Sequence, residues 1–197
     1  MTADRTATVQ RKTAETAIEL KVNLDGNGEV TVETGIGFLD HLLTALARHA
    51  GFDLQLKCAG DLEVDDHHTA EDCAIALGEA VDRALSERRG IARFGWALAP
   101  MDEALARAAV DLSGRGLAVT RLALSGRPLG TLRSENVAHV LHSLARAAKA
   151  SVHVDVLRGD NDHHRAEAAF KALALALRQA VALTGGDRVP STKETLT

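Results

Sequence analysis

Hydrophobic and polar positions along the chain change period several times, and the order of the changes recurs. Two-residue alternation marks strands over Thr6 to Lys12, Ala17 to Leu24 and Glu29 to Thr34, and apolar positions three and four apart then mark a helix over Gly37 to Ala50. A further strand-like segment, Asp53 to Cys58, leads through an Asp-rich turn into a long helical one, Thr69 to Leu85. The second half repeats the series. Its strands fall at Arg93 to Ala99, Ala104 to Leu112 and Leu117 to Leu124, followed by a helix over Ser134 to Lys149, a strand over Ser151 to Leu157 and a helix over Arg165 to Leu183.

The order βββαβα therefore occurs twice. Runs of strands followed by helices favour an α+β fold with an antiparallel-rich sheet in each half over a doubly wound one. The turn Asp25-Gly26-Asn27-Gly28 predicts a hairpin between the second and third strands, because Gly and Asn tolerate positive φ. Gly90 marks the join between halves, giving a first repeat over 1–90, a second over 91–183 and an extended tail over 184–197 that carries Gly185, Gly186 and Pro190.

With 197 residues, 46% of them apolar, the chain can bury one substantial core or two small ones packed together. A formal net charge of -4 gives no broad attraction for nucleic acid or an anionic membrane surface, so any phosphate site must be local. Met1 to Lys12 lacks the apolar stretch of a secretory signal, and no apolar run is long enough to span a bilayer. Cys58 and Cys73 form no paired framework; they read as small buried residues of a cytoplasmic protein.

Histidine is what changes the picture. Six of the nine histidines fall into matching sets: His41, His67, His68 with Glu71, and His139, His163, His164 with Glu167. The His-His-x-x-Glu groups lie 96 positions apart and the single histidines 98 apart, an offset that a two-residue loop difference explains. On a helix either histidine of the pair can share a face with the glutamate, but successive residues point about 100° apart, so one ion is not easily bound by both. Two histidines pointing apart suggest two metals. The eight residues divide into two sets of three histidines and one glutamate, which leaves room for substrate on an ion of higher coordination number and suits Mn, Fe, Zn, Co or Ni. His49, His142 and His153 have no histidine counterparts and stand outside the sets; His153, between Val152 and Val154, reads as a polar-face strand residue.

The chain also carries Arg11-Lys12-Thr13-Ala14-Glu15-Thr16, Thr34-Gly35-Ile36-Gly37-Phe38-Leu39-Asp40-His41, Asp65-Asp66-His67-His68-Thr69-Ala70-Glu71-Asp72, Arg93-Phe94-Gly95, Pro100-Met101-Asp102-Glu103-Ala104, Asp111-Leu112-Ser113-Gly114-Arg115 and Pro190-Ser191-Thr192-Lys193. Through these segments it closely resembles the imidazoleglycerol-phosphate dehydratases of histidine biosynthesis over nearly its whole length. The resemblance implies a duplicated fold like the second domain of ribosomal protein S5. It also implies a homo-oligomer of 24 subunits with sites shared between them, and two manganese(II) ions per active site held by the eight histidines and glutamates. It further implies that Glu15 contacts substrate and that Arg93, Arg115, Ser191 and Lys193 bind its phosphate; the acidic balance speaks against nucleic acid or a membrane as partner. Gly116 and Glu194 depart from the family's usual Pro and Gly; Glu194 puts a negative charge beside the phosphate position.

The reaction so implied removes the hydroxyl next to an imidazole ring and leaves a ketone one carbon further along. The proton to be lost sits on a carbinol carbon, so enolate chemistry is not open and the ring must supply the electrons. Metal at the ring nitrogens would favour imidazolate and expulsion of hydroxide, with Glu15 moving one of the protons and Glu71 and Glu167 holding the ions. A metal-storage or sensing protein, or a dinuclear hydrolase, would use the same ligands but leave the Arg93, Arg115 and Lys193 group without this task. The duplication accounts for the metals, whereas that phosphate group and Glu15 lie outside it.

Overall fold

The computed structural model describes residues 5–193 and 195–196. The first half runs β1 (Thr6–Lys12), β2 (Thr16–Asn23), β3 (Val30–Glu33), α1 (Gly37–Ala50), β4 (Asp53–Gly60) and α2 (His67–Leu85). The second runs β5 (Phe94–Met101), β6 (Ala104–Asp111), β7 (Leu117–Arg121), α3 (Ser134–Ala147), β8 (Ser151–Arg158) and α4 (Asp162–Ala180). The fold is α+β, with the βββαβα unit duplicated.

Period-two patterning places one face of each sheet in the core. In β2, Thr16, Ile18, Leu20 and Val22 point inward while Ala17, Glu19 and Lys21 point out; in β6, Ala104, Ala106, Ala108 and Val110 do the same. The inner faces and all four helices share one continuous apolar core. Helices of one half pack on helices of the other, α1 on α4 and α2 on α3. Gly78 permits the second approach, since a Cβ there would stand 2.6 Å from the Leu144 carbonyl oxygen.

The hairpin expected at Asp25 to Gly28 does not form. Each sheet has the order first, second, fourth, third strand: β1-β2-β4-β3 and β5-β6-β8-β7, and β3 pairs in parallel with β4. The loop after β2 crosses the end of β4, where the Asp53 carboxylate accepts the N–H groups of Asn27 and Glu29 at 2.8 and 3.0 Å. The turn residues thus carry β3 past β4 rather than folding it back on β2.

Helix ends differ from the periodic reading as well. α2 and α4 begin at His67 and Asp162, taking in the histidine pairs, and α4 stops at Ala180 because Leu183 bridges to Ile91 and the Thr184 N–H bonds the Gly90 carbonyl. The tail beyond is docked: the Gly90 N–H bonds the Arg188 carbonyl at 3.0 Å and Arg93 Nη1 the Pro190 carbonyl at 2.8 Å. Glu194 lies outside the described residues. Among those described, no helix is long and apolar enough to cross a membrane.

Candidate metal centre

The two histidine pairs open α2 and α4, where side chains satisfy the first N–H groups: Asp65 Oδ1 accepts from His67 N at 2.9 Å and Asn161 Oδ1 from His163 N at 2.8 Å. Asp66 then ties the start of α3 to that of α2, its carboxylate accepting the Arg133 N–H at 2.7 Å. On the other side of α2, Asp72 accepts from Thr16 Oγ1 at 2.6 Å and Arg11 Nη2 at 2.8 Å, which fixes the helix on its sheet.

This framework gathers two groups of three ligand atoms, each within 4.8 Å of one another: His67, Glu71 and His139, and His41, His163 and Glu167. The halves are crossed. Each group takes the single histidine of one half and the His-x-x-x-Glu of the other, because α1 lies on α4 and α3 on α2. In the first group His139 Nε2 stands 3.1 Å and His67 Nε2 3.8 Å from the Glu71 carboxylate, with the rings 4.6 Å apart. In the second, His41 Nε2 and His163 Nε2 lie 3.0 and 3.2 Å from Glu167 Oε2, and the rings are 5.3 Å apart.

The donor sets fit a divalent transition metal. Imidazole nitrogens and a carboxylate oxygen converge, and His139 Nε2 is buried without a hydrogen bond, its contact with Glu71 being close but misaligned. The neighbours differ. Asn136 Oδ1 bonds His67 Nδ1 at 2.9 Å, whereas Phe38, at the matching place on α1, packs edge-on against the His163 ring at 4.9 Å. Lys171 Nζ, 2.6 Å from Glu167 Oε1, has Ile75 as its counterpart near Glu71. Burial pushes the Glu167 carboxyl upward, but Lys171 and His41 outweigh it and hold it at about 2.

His68 and His164 are not brought into these groups. Their rings stand at 77° and 87° to those of His67 and His163 and face other carboxylates. His68 Nδ1 is 3.0 Å from Asp61 Oδ2 and its Nε2 3.6 Å from Glu15; His164 Nδ1 is 2.7 Å from Glu103 and its Nε2 3.6 Å from Asp102. The hydrogen bonds to Asp61 and Glu103 raise the pKa of the two rings. Glu103 is held at about 2 by the Asn161 N–H, His164 and the Asp160 N–H. Within one chain each group thus has two histidines and one glutamate, the third histidine of each sequence set pointing away.

Asp61, Asn136 and Lys171 do not stand out in the sequence, and Asp102 and Glu103 do so only as members of the segment Pro100 to Ala104, since none repeats at the spacing of the histidines. Glu15, expected outside the duplication, has a spatial counterpart: it sits in the β1–β2 turn beside His68 as Asp102 sits in the β5–β6 turn beside His164. His49, His142 and His153 stay outside both groups. Cys58 and Cys73 are buried free thiols.

A family model for imidazoleglycerol-phosphate dehydratase matches residues 34–177, a stretch that contains all eight histidines and glutamates of the two sets. The chain belongs to the imidazoleglycerol-phosphate dehydratase family. It is 57% identical over 192 residues to the Phytophthora nicotianae member, matching 98% of this chain and 42% of that longer protein. It is 52% identical to the Chlorobaculum parvum member, with 98% of each chain covered. The crystal structure of the Pyrococcus furiosus enzyme superposes with a TM-score of 0.83 at 36% identity, covering 95% of this chain and all of that one.

The positions that resemble the phosphate site of this family lie elsewhere on the chain. Arg93 grips Asp111 through Nε and Nη2 at 2.7 and 3.1 Å and, through Nη1, holds the tail at Pro190. Arg115 is exposed, with no side-chain hydrogen bond or ion pair among the described residues. Ser191 Oγ accepts the Lys193 N–H at 3.2 Å, forming a turn that leaves the lysine exposed. The Arg93 N–H bonds Ala180 at the far end of α4, about 20 Å of helix from Glu167. Among the described residues no hydrogen bond or ion pair joins this group to either histidine group.

Proposed function

We propose that this chain dehydrates imidazole glycerol phosphate to imidazole acetol phosphate in histidine biosynthesis, using two manganese(II) ions held by the crossed groups. The crossed geometry supports the reading, because it builds two similar ligand sets of two histidines and one glutamate that would leave an ion room for further ligands. The bound ions supply Lewis acidity toward the imidazole ring nitrogens. His67, Glu71 and His139 hold one ion and His41, His163 and Glu167 the other.

His68 and His164 point out of their own groups, and we assign them to the groups of neighbouring copies in a homo-oligomer, with 24 subunits as the expected assembly. Two features support sharing. Arg93 sits at the far end of α4 from Glu167, about 20 Å of helix away, so a phosphate bound there suits the metals of a neighbouring copy better than the Glu167 group of its own chain. The outer face of the second sheet also exposes Phe94, Trp96 and Leu98 of β5 and Leu117 and Val119 of β7, Trp96 to 70%, whereas the matching strands β1 and β3 expose Thr8, Gln10, Lys12, Thr31 and Glu33. In this reading Glu15, beside His68, moves a proton at the carbon chain of the substrate, and Arg93, Arg115, Ser191 and Lys193 position its phosphate. Unpaired thiols suit a reducing cytoplasm.

Metal-loaded protein incubated with imidazole glycerol phosphate should yield a ketone lighter by one water, read by mass spectrometry. Release of inorganic phosphate without that ketone would sink the assignment.

A further inference from the structure

The two outward histidines share an environment that the sequence repeat conceals. Each offers Nδ1 to a carboxylate, His68 to Asp61 at 3.0 Å and His164 to Glu103 at 2.7 Å. The carboxylates come from different places in their halves. Asp61 follows β4, whereas Glu103 lies in the turn between β5 and β6, the hairpin that corresponds to β1 and β2. The acceptor has been kept at the same atom of the same histidine while its source in the sequence has changed.

Chemistry gives this arrangement a direction. An ionised carboxylate only accepts, so the imidazole nitrogen facing it must carry the proton, and the neutral ring then keeps its lone pair on Nε2. On both rings Nε2 is the nitrogen left without a hydrogen bond, 3.6 Å from a carboxylate oxygen of Glu15 or Asp102 and beyond hydrogen-bond reach. As ion pairs partly open to solvent these contacts would add little to stability. As a means of holding a ligand they add direction and basicity, which is the usual task of a carboxylate behind a metal-binding histidine.

We infer that Asp61 and Glu103 are positioning residues, each locking its histidine so that Nε2 is left unprotonated for an ion. This rests on the reading that the histidine pairs bind metal. Glu103 is itself anchored by the N–H groups of Asp160 and Asn161 at 3.0 and 2.9 Å, whereas the Asp61 carboxylate bonds only His68 among the described residues. Asp61 is therefore the cleaner residue to change.

The test uses the full chain and manganese(II) itself. Asp61→Ala should lower the affinity for one class of ion about ten- to a hundredfold in titration calorimetry, and Asp61→Asn, which keeps an acceptor oxygen, should restore most of the loss. The metal-free variants should unfold at the wild-type temperature; a large drop would make Asp61 a structural residue and overturn the inference. Equal affinity in Asp61→Ala and wild type would overturn it too, whereas a wild-type chain that binds no manganese would instead overturn the metal reading beneath it. For Glu103, nitrogen-15 NMR of metal-free wild type at alkaline pH should show the Nδ1–H tautomer at His164. An Nε2–H ring there contradicts the assignment.

Discussion

His139 Nε2 lies 3.1 Å from the Glu71 carboxylate, although the two residues belong to different halves of the duplicated chain. The pairing means that an ion in either group would be held across the seam. His139→Ala should therefore empty the group containing His67 and leave the group containing Glu167 filled. Elemental analysis should find about half the wild-type metal, and loss of all of it would show that the groups are not independent.

Glu167→Ala has a different signature, since the carboxylate is held at about 2 by Lys171 and His41 against the upward pull of burial. A depressed carboxyl contributes stability that is complete above its unfolded pKa and is lost as the pH falls through the folded value. In metal-free protein that contribution is on the order of 3 kcal/mol and should disappear between about pH 4.5 and 2. Denaturant midpoints across that range should converge for wild type and variant at the acid end; a constant gap would refute the linkage.

Gly78→Ala tests the seam directly. The added methyl meets the Leu144 carbonyl at 2.6 Å and the Ala147 Cβ at 2.7 Å, so α3 must move away from α2. Overpacking of this kind costs about 1–3 kcal/mol. Thermal unfolding should register it, and calorimetry should show weaker metal binding in the group that contains His139, which rides on α3.

Lys193→Ala should leave metal content unchanged and raise KM about ten- to a hundredfold, the range for a charge-assisted contact to phosphate. Steady-state kinetics with metal analysis on the same preparation would check both. A fall in kcat with KM unchanged would remove Lys193 from the phosphate site.

The repeat and most of the element order were legible because they rest on local periodicity: the inward Ile18, Leu20 and Val22 announce a strand wherever it ends up. Sheet order was less so. The Asp-Gly-Asn-Gly turn is compatible with a hairpin, and what decides otherwise is Asp53, 24 residues from Glu29 in sequence, capturing the loop. The eight histidines and glutamates stood out by spacing, yet their division into groups did not, since it depends on α1 meeting α4 and α3 meeting α2. Asp61 and Glu103 were hidden for a related reason: they do the same thing from unmatched positions, and periodicity registers position alone.

The crossing of α1 and α3 between halves has a consequence for the life of the folded chain. An ion seated in either group would act as a clasp, joining the first helix of one half to the start of the last helix of the other. Binding to the folded form alone raises its stability by RT ln(1 + [metal]/Kd). Scarcity of the ion would then loosen the seam as well as idle the chemistry, so resistance to proteolysis should report metal supply in the cell.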